Sequence, residues 1–412
     1  MKKIELVSPA GDLEKLRCAC RYGADAVYLS DKDHGMRRRA GNFSCDEIAE
    51  GVRYAHRLDK KVYAAVNIFL RNAHIAGVKK YLSFLREAGV DAIVAADPGV
   101  IQIVRDLKLD IPLHLSTLAN VTNAASARFW EDLGVKRIIL ARELSFDEIR
   151  GIRREVRCEL EVFVHGAMCV SYSGRCLLSS YLTGRNANLG DCAQSCRWRY
   201  ALVEENRPGR YFPVEEDEAG TYLMSAKDLL MAPHIKDLID AGVDALKIEG
   251  RIKSLYYVGN VTRIYRGAID AACQGTDDAA RSERYLKELS AVPNRGYSTG
   301  FFFGKPDDGS QLYDGNANNG GYQFVGTVLR SEGPRVTVRL KNPVSIHDTI
   351  ECISPDISKD HTETVLEVIG KNGLPVETAA HDEEATLILS GPAAAHEIMR
   401  RKIPCRAEAS PV

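Results

Sequence analysis

The chain has 412 residues, 45% of them hydrophobic and 27% charged, and its 55 Lys and Arg nearly balance 56 Asp and Glu for a formal net charge of −1. That length implies one large domain with a smaller one, and the balance excludes a global basic field for nucleic acid, leaving only a local basic surface. The opening MKKIELVSPAGD reaches Asp12 before any apolar run long enough for a secretory signal or a membrane span, so the expectation is a cytoplasmic protein with no membrane partner.

One phrase recurs along the first part of the chain: YGADAVYLS (22–30), AGVDAIVAAD (88–97), LGVKRIILAR (133–142) and AGVDALKIEG (241–250). Each time an amphipathic segment stops at Gly, and a short β-branched apolar run follows. Gly after the last helical turn is a C-terminal stop. The apolar run reads as a strand buried on both faces, as in a parallel sheet. KIELVSP (3–9), KVYAAVN (61–67), PLHLS (112–116) and LEVFVHG (160–166) fit the same role, separated mostly by helical patterns such as 74–89 and 145–156.

Eight strands alternating with helices predict an α/β fold, a (β/α)8 TIM-like barrel over 1–290, with a cysteine-rich insertion at 167–240 after strand seven. An open doubly wound sheet is the alternative, weakened because no GxGxxG follows the first strand. A linker (291–320) follows. YQFVGTVL, RVTVRLKN, DTIECIS, TETVLEVIG and ATLILS then predict a small C-terminal antiparallel β-barrel over 321–395, with a tail at 396–412.

A barrel places working residues at the C-terminal ends of its strands. Those ends carry Ser8, Ser30, Asp31, Asn67, Asp97, Ser116, Arg142, Glu143, His165, Glu249 and Arg251. Ser145 and Asp97 also read simply as helix N-caps.

Four of the eleven cysteines fall between 169 and 196, as Cys169, Cys176, Cys192 and Cys196 with spacing C-x6-C-x15-C-x3-C. In a reducing compartment clustered thiols point to metal or redox chemistry. The close pair fits structural zinc and the wide pair does not, while irregular spacing also suits an iron–sulfur cluster. Arg175, Arg185, Arg197 and Arg199 would offset cluster charge, and Gly174, Gly184 and Gly190 would let backbone N–H groups approach the sulfurs. Cys18, Cys20, Cys273 and Cys352 lie in helix- or strand-like segments and read as core or incidental. Arg37, Arg38 and Arg39 after strand two, and Arg197, Trp198 and Arg199 after the last cysteine, are the candidate RNA-binding residues, with solvated loops as the plain alternative.

Peptidase chemistry is poorly represented. There is no HExxH, and GYSTG (296–300) precedes FFFGKP in a turn-rich stretch rather than a helix. His165 lies close to Cys169, but four clustered thiols suit metal better than a single nucleophile.

EVFVHGAMCVSYSGRCLLSSYLTGR (161–185) resembles the signature of the U32 family, long classed as peptidases or collagenases. ELVSPAGDLEKLRCACRYGADAVYLS, LHLSTLANVTNAASARFWEDLGVKRIILARELSFDEI, SAKDLLMAPHIKDLIDAGVDALKIEGRIKSLYYV and NRGYSTGFFFG are similar to it too, so the resemblance spans nearly the whole chain. DCAQSCRWRY and YFPVEEDEAGTYLMSAKDL resemble the branch that forms 5-hydroxyuridine in tRNA, whose relatives hydroxylate the ubiquinone ring without molecular oxygen. The resemblance implies a [4Fe–4S] cluster on Cys169, Cys176, Cys192 and Cys196, prephenate as hydroxyl donor, the tRNA anticodon region as partner and an electron donor. The ubiquinone branch draws its fourth ligand from further on, where TYLMSAKDL here has no Cys. Arg142, Arg251 and Lys253 are then the candidates for binding a small dicarboxylate donor, and Asn67, His165 and Glu249 the catalytic candidates. A U32 peptidase and a non-enzymatic iron–sulfur RNA-binding scaffold are the alternative functions.

Overall fold

Gly23, Gly89, Gly134 and Gly242, the glycines of the repeated phrase, all sit at positive φ, at 106°, 78°, 89° and 81°. A side chain is strained there, so glycine lets each helix stop and the chain turn directly into a strand. The computed structural model describes residues 4–35, 41–169, 171–172, 175–197, 226–306 and 320–403, and the backbone of 202–203, 211–212, 216–217 and 220–221.

The eight predicted strands form as β1 (Glu5–Pro9), β2 (Ala26–Leu29), β3 (Lys61–Val66), β4 (Ala92–Ala95), β5 (Leu113–Leu115), β6 (Arg137–Ile139), β7 (Glu159–Gly166) and β8 (Ala245–Ile248). Each pairs in parallel with the next, and β8 pairs with both β7 and β1, which closes the barrel. The first six strands are followed by α1 (Leu13–Arg21), α2 (Cys45–His56), α3 (Ile75–Ala88), α4 (Pro98–Asp106), α5 (Ala124–Asp132) and α6 (Phe146–Glu155). Asp97 and Ser145 are the N-caps of α4 and α6, each accepting a backbone N–H of the first turn.

After β7 the chain leaves the barrel through α7 (Leu178–Thr183) and returns as a strand at Asp228–Leu230, antiparallel to the end of β7. The last part of the predicted insertion is thus ordinary barrel, because α8 (Ile235–Asp240) leads into β8. The helices α9 (Leu255–Gln274) and α10 (Ala279–Ser290) complete this domain.

The C-terminal barrel has six strands: β9 (Tyr322–Glu332), β10 (Arg335–Leu340), β11 (Thr349–Ile353), β12 (His361–Ile369), β13 (Glu384–Leu389) and β14 (Ile398–Lys402). They run in the order β11-β14-β9-β10-β13-β12 and close through β11 and β12. Five are the predicted ones. The sixth, β14, lies in the segment read from sequence as a tail, because two adjacent arginines disguise its alternation. Arg400 is buried through its partners: it donates to Glu288 at 2.8 and 2.9 Å and to Glu351 at 2.9 Å.

Glu288 sits on α10 and also takes Arg263 of α9 at 2.9 Å, so the two barrels share one ion network. Tyr22, just past α1, reinforces this seam. Its hydroxyl donates to Ile353 O at 2.9 Å and accepts the Ile398 N–H at 3.1 Å.

The interior of the large barrel is not wholly apolar. Strand alternation brings Glu5, Tyr63, His114, Arg137 and Glu161 together below the mouth. Arg137 donates to Glu5 at 2.6 Å, to Glu159 at 2.7 Å and to Glu161 at 3.0 Å. Burial opposes the charge on Glu5, but hydrogen bonds and attraction from Arg137, helped by Lys61 and Tyr63, outweigh it and hold its carboxyl at about 2.

A folded-state pKa below the unfolded one means stability that is fully present above about pH 4.5 and lost as the pH falls towards 2. Urea midpoints measured across this window are expected to fall steeply for the parent chain. Glu5→Gln is expected to lower the unfolding free energy at pH 7 by about 1–3 kcal/mol and to flatten the acid limb. Parallel acid limbs for the two chains would show that the Glu5 pair is not the source.

Candidate active site

A cavity of about 180 Å3 opens at the C-terminal end of the large barrel. Alternate strand residues, among them Tyr28, Val94, Ile139, Phe163 and Lys247, form its inner wall, and Asn67, Ser116, Arg142, Glu249 and Arg251 surround it at the strand ends. The insertion supplies the remaining side, and Cys169, Cys176, Cys192 and Cys196 all face this one space. The four thiols that are scattered over 28 residues of sequence therefore share a single wall.

Local chemistry shapes that wall. Arg185 grips the Asp191 carboxylate at 2.6 and 3.0 Å and reaches Cys192 O at 3.4 Å. Ser179, buried in α7, donates to Arg185 O at 2.8 Å and accepts the Ala193 N–H at 2.9 Å. Two thiol sulfurs accept backbone N–H groups two residues ahead: Cys176 from Leu178 at 3.4 Å and Cys192 from Gln194 at 3.3 Å. Such N–H···S contacts fix where the two sulfurs point. With Arg142, Lys247 and Arg251 on the same cavity, the donor set would fit an anionic cluster.

The insertion is tied to the barrel mouth by backbone groups. Arg175 Nε donates to Leu118 O at 3.1 Å, Phe69 N to Asn188 O at 3.3 Å, and Arg142 Nη1 to Ala167 O at 2.7 Å. Arg142 also lies over the Phe163 ring, 3.9 Å from its centroid, which holds the guanidinium flat against the cavity wall.

Arg251 is buried, and two glycines make room for it. A Cβ at Gly11 would stand 2.1 Å from Arg251 O, and one at Gly35 would stand 2.0 Å from Ser30 Oγ and 3.2 Å from Arg251 Nη1. Asn67 donates to Ser116 Oγ at 3.3 Å. Lys247 was missed by sequence reasoning. It donates to Glu161 at 2.6 Å and sits 4.3 Å from the Tyr28 centroid; burial lowers its pKa while Glu161 opposes the shift. The available signal was a lone cation inside an apolar strand that is buried on both faces.

Two candidates fall elsewhere. Lys253 lies over the Tyr257 ring at 5.2 Å and is not on the cavity wall. His165 is also off that wall. It is 1% exposed, among the rings of Tyr257, Tyr265 and Tyr297 at 5.4–5.8 Å. Because the chain bulges where β8 pairs with β7, His165 leaves the alternation that brings Phe163 to the cavity. Burial pushes its pKa down to about 3; Asp228 opposes that shift and Lys253 adds to it. Arg37, Arg38, Arg39, Trp198 and Arg199 lie outside the described residues, and Arg197 belongs to a short turn described by its backbone alone. Ser298 of GYSTG lies in a two-residue strand followed by turns, not by the helix that a nucleophile elbow needs.

Residues 11–312 match the family described as Peptidase family U32, and residues 321–400 match the Peptidase family U32 C-terminal domain. The chain is 40% identical over 382 residues to "tRNA hydroxylation protein P1" of Bacillus subtilis, covering 92% of this chain and 90% of that one. It is 40% identical over 400 residues to an "uncharacterized protease" of Methanocaldococcus jannaschii, covering 95% and 96%. It is also 40% identical over 295 residues to a 23S rRNA 5-hydroxycytidine synthase of Escherichia coli, covering 71% of this chain and 43% of that one.

With its pKa at about 3, the His165 ring is neutral throughout the physiological range. Its imidazole NMR signals are expected to hold still from pH 8 to pH 5. A titration midpoint near the usual value of about 6.5 would place the ring in solvent and return it to the list of acid–base candidates.

Proposed function

The chain belongs to peptidase family U32, and we propose that it is a cytoplasmic iron–sulfur enzyme that hydroxylates the wobble uridine of tRNA to 5-hydroxyuridine without molecular oxygen. The hydroxyl donor in this reading is prephenate or a similar small dicarboxylate, and an external electron donor completes the set of partners. The observation that carries it is the convergence of four thiols and three cationic side chains on one cavity at the barrel mouth. The relatives named for tRNA hydroxylation and for 5-hydroxycytidine synthesis in rRNA support the reaction class.

Cys169, Cys176, Cys192 and Cys196 would hold the cluster, which when bound supplies one-electron chemistry shielded from bulk water. The Leu178 and Gln194 N–H groups, bonded to two of these sulfurs, would orient them for it. Arg142, Arg251 and Lys247 bind and orient the carboxylates of the donor. Asn67 offers the amide edge that pairs with a uracil ring, and Glu249 is the carboxylate positioned to take a proton from the reacting base. Tyr172 and Tyr181 of the insertion, 63% and 90% exposed, present rings on which flanking unpaired bases stack.

The peptidase reading has less support. Among the described residues no histidine lines the cavity that holds the four thiols, so the cavity wall does not supply the imidazole that a Cys–His pair needs.

Anaerobically purified protein is expected to carry about four irons and four sulfides per chain, lost in Cys192→Ala. In cells lacking the chromosomal gene, the parent chain is expected to restore 5-hydroxyuridine-derived nucleosides, read by mass spectrometry of digested tRNA, and Cys192→Ala to restore none. Lys247→Met is expected to keep its iron but lose at least about tenfold in kcat/KM for the donor, about 1.4 kcal/mol. Zinc in place of iron would end the redox reading, and restored hydroxylation by Cys192→Ala would end the role given to the thiols.

A further inference from the structure

The C-terminal barrel holds a second group of metal-ligating side chains, remote in sequence from the four-thiol wall. Ligand atoms of Cys352, His361 and Glu397 all lie within 4.8 Å of one another. The fold brings them together in a simple way. Cys352 on β11 is the cross-strand partner of His361 on β12, and on its other side it faces Met399 of β14, two residues beyond Glu397. Cys352 and Glu397 are buried, at 0% and 5% exposure.

We propose that Cys352, His361 and Glu397 form a site for a single divalent transition-metal ion of the zinc class. Two observations besides proximity point to a cation. The first is the state of the imidazole. His361 Nδ1 lies 3.2 Å from Lys359 O, and a carbonyl accepts only, so in the neutral ring Nδ1 carries the proton and Nε2 the lone pair. That Nε2 atom is shielded from solvent and has no hydrogen-bond partner. A carbonyl-anchored Nδ1–H with a free Nε2 is the arrangement that ligating histidines adopt. The second is charge. A carboxylate oxygen of Glu397 lies within 4.8 Å of both the Cys352 sulfur and the His361 nitrogen, and Glu363 Oε1 stands 3.8 Å from His361 Nε2, so two carboxylates converge on this pair. A cation between them relieves that crowding.

The remaining contacts fit the assignment. Glu397 Oε2 accepts the Ala394 N–H at 2.9 Å, which orients its carboxylate. Glu363 Oε1 stands 3.8 Å from His361 Nε2 and is placed to serve as a fourth, outer ligand. One sulfur, one imidazole and one carboxylate suit zinc or cobalt better than magnesium or calcium, which prefer oxygen alone.

The location gives the ion a task. Ile353 and Ile398, next to Cys352 and Glu397, are the residues held by the Tyr22 hydroxyl. Asp360, next to His361, takes Arg263 of α9 at 2.6 Å. An ion here ties β11, β12 and β14 together where the C-terminal barrel meets the large one.

The test uses the full-length chain, purified anaerobically under reducing conditions, with zinc measured beside iron and with Co2+ titrated as a spectroscopic probe. The parent chain and Cys192→Ala are both expected to bind one cobalt with a thiolate charge-transfer band. His361→Ala and Glu397→Gln are expected to bind it at least about a hundredfold more weakly, and zinc is expected to raise the melting temperature of the parent but not of His361→Ala. His361 is partly exposed, so its alanine variant is expected to fold, with circular dichroism as the check. Equal cobalt affinity in His361→Ala and the parent, or no cobalt bound by the parent, would overturn the site. A cobalt band lost in Cys192→Ala and kept in His361→Ala would assign the ion to the cavity instead. Loss of iron alone in Cys192→Ala bears only on the cavity.

Discussion

Glu161, wholly buried in the middle of β7, accepts Lys247 Nζ at 2.6 Å and Arg137 Nη1 at 3.0 Å. Both cations are themselves almost fully buried. A barrel interior charges several kcal/mol for each unpaired ion, so neither cation is tolerable without this carboxylate. The pairing also sets a direction. Arg137 continues downward to Glu5 and Glu159, and Glu5 to Lys61 at the barrel's lower rim, while Lys247 faces up into the cavity. The polar floor of the site is thus the upper end of a network that also holds β1, β3, β6, β7 and β8 together.

The other side of the cavity is built by different means. The insertion is fixed mainly by hydrogen bonds between its own polar groups and a few backbone carbonyls at the strand ends. Among the described residues, a wall of that kind places thiols by hydrogen bonds rather than by apolar packing. It leaves Leu177 and Tyr181 exposed at 71% and 90%.

Much of this was legible in the sequence because the signals were local. The glycine at each helix end and the apolar run after it gave the barrel, and Ser145 and Asp97 announced two helix starts. The clustering of Cys169, Cys176, Cys192 and Cys196 announced a shared site, and Asn67, Arg142, Glu249 and Arg251 do surround the cavity. What was hidden depends on partners distant along the chain. Lys247 looks out of place in its strand until Glu161, 86 residues away, is seen beside it. Arg400 made β14 look like a tail because its partner, Glu288, is 112 residues earlier. His165 reads as a catalytic histidine by composition. Only the bulge between β7 and β8 and the three tyrosines around it show that it packs inside.

The Tyr22 hydroxyl bonds to Ile398, 376 residues further along. At a ribosomal rate of about 5–20 residues per second, that partner emerges roughly 20–75 s after the tyrosine does. Through that interval the Tyr22 phenol lacks its Ile398 partner. The edges of β9 and β11 also stay unpaired until β14 arrives between them. The same strand, β14, thus closes strand edges in one barrel and satisfies a phenol on the other, so both barrels depend on its late arrival.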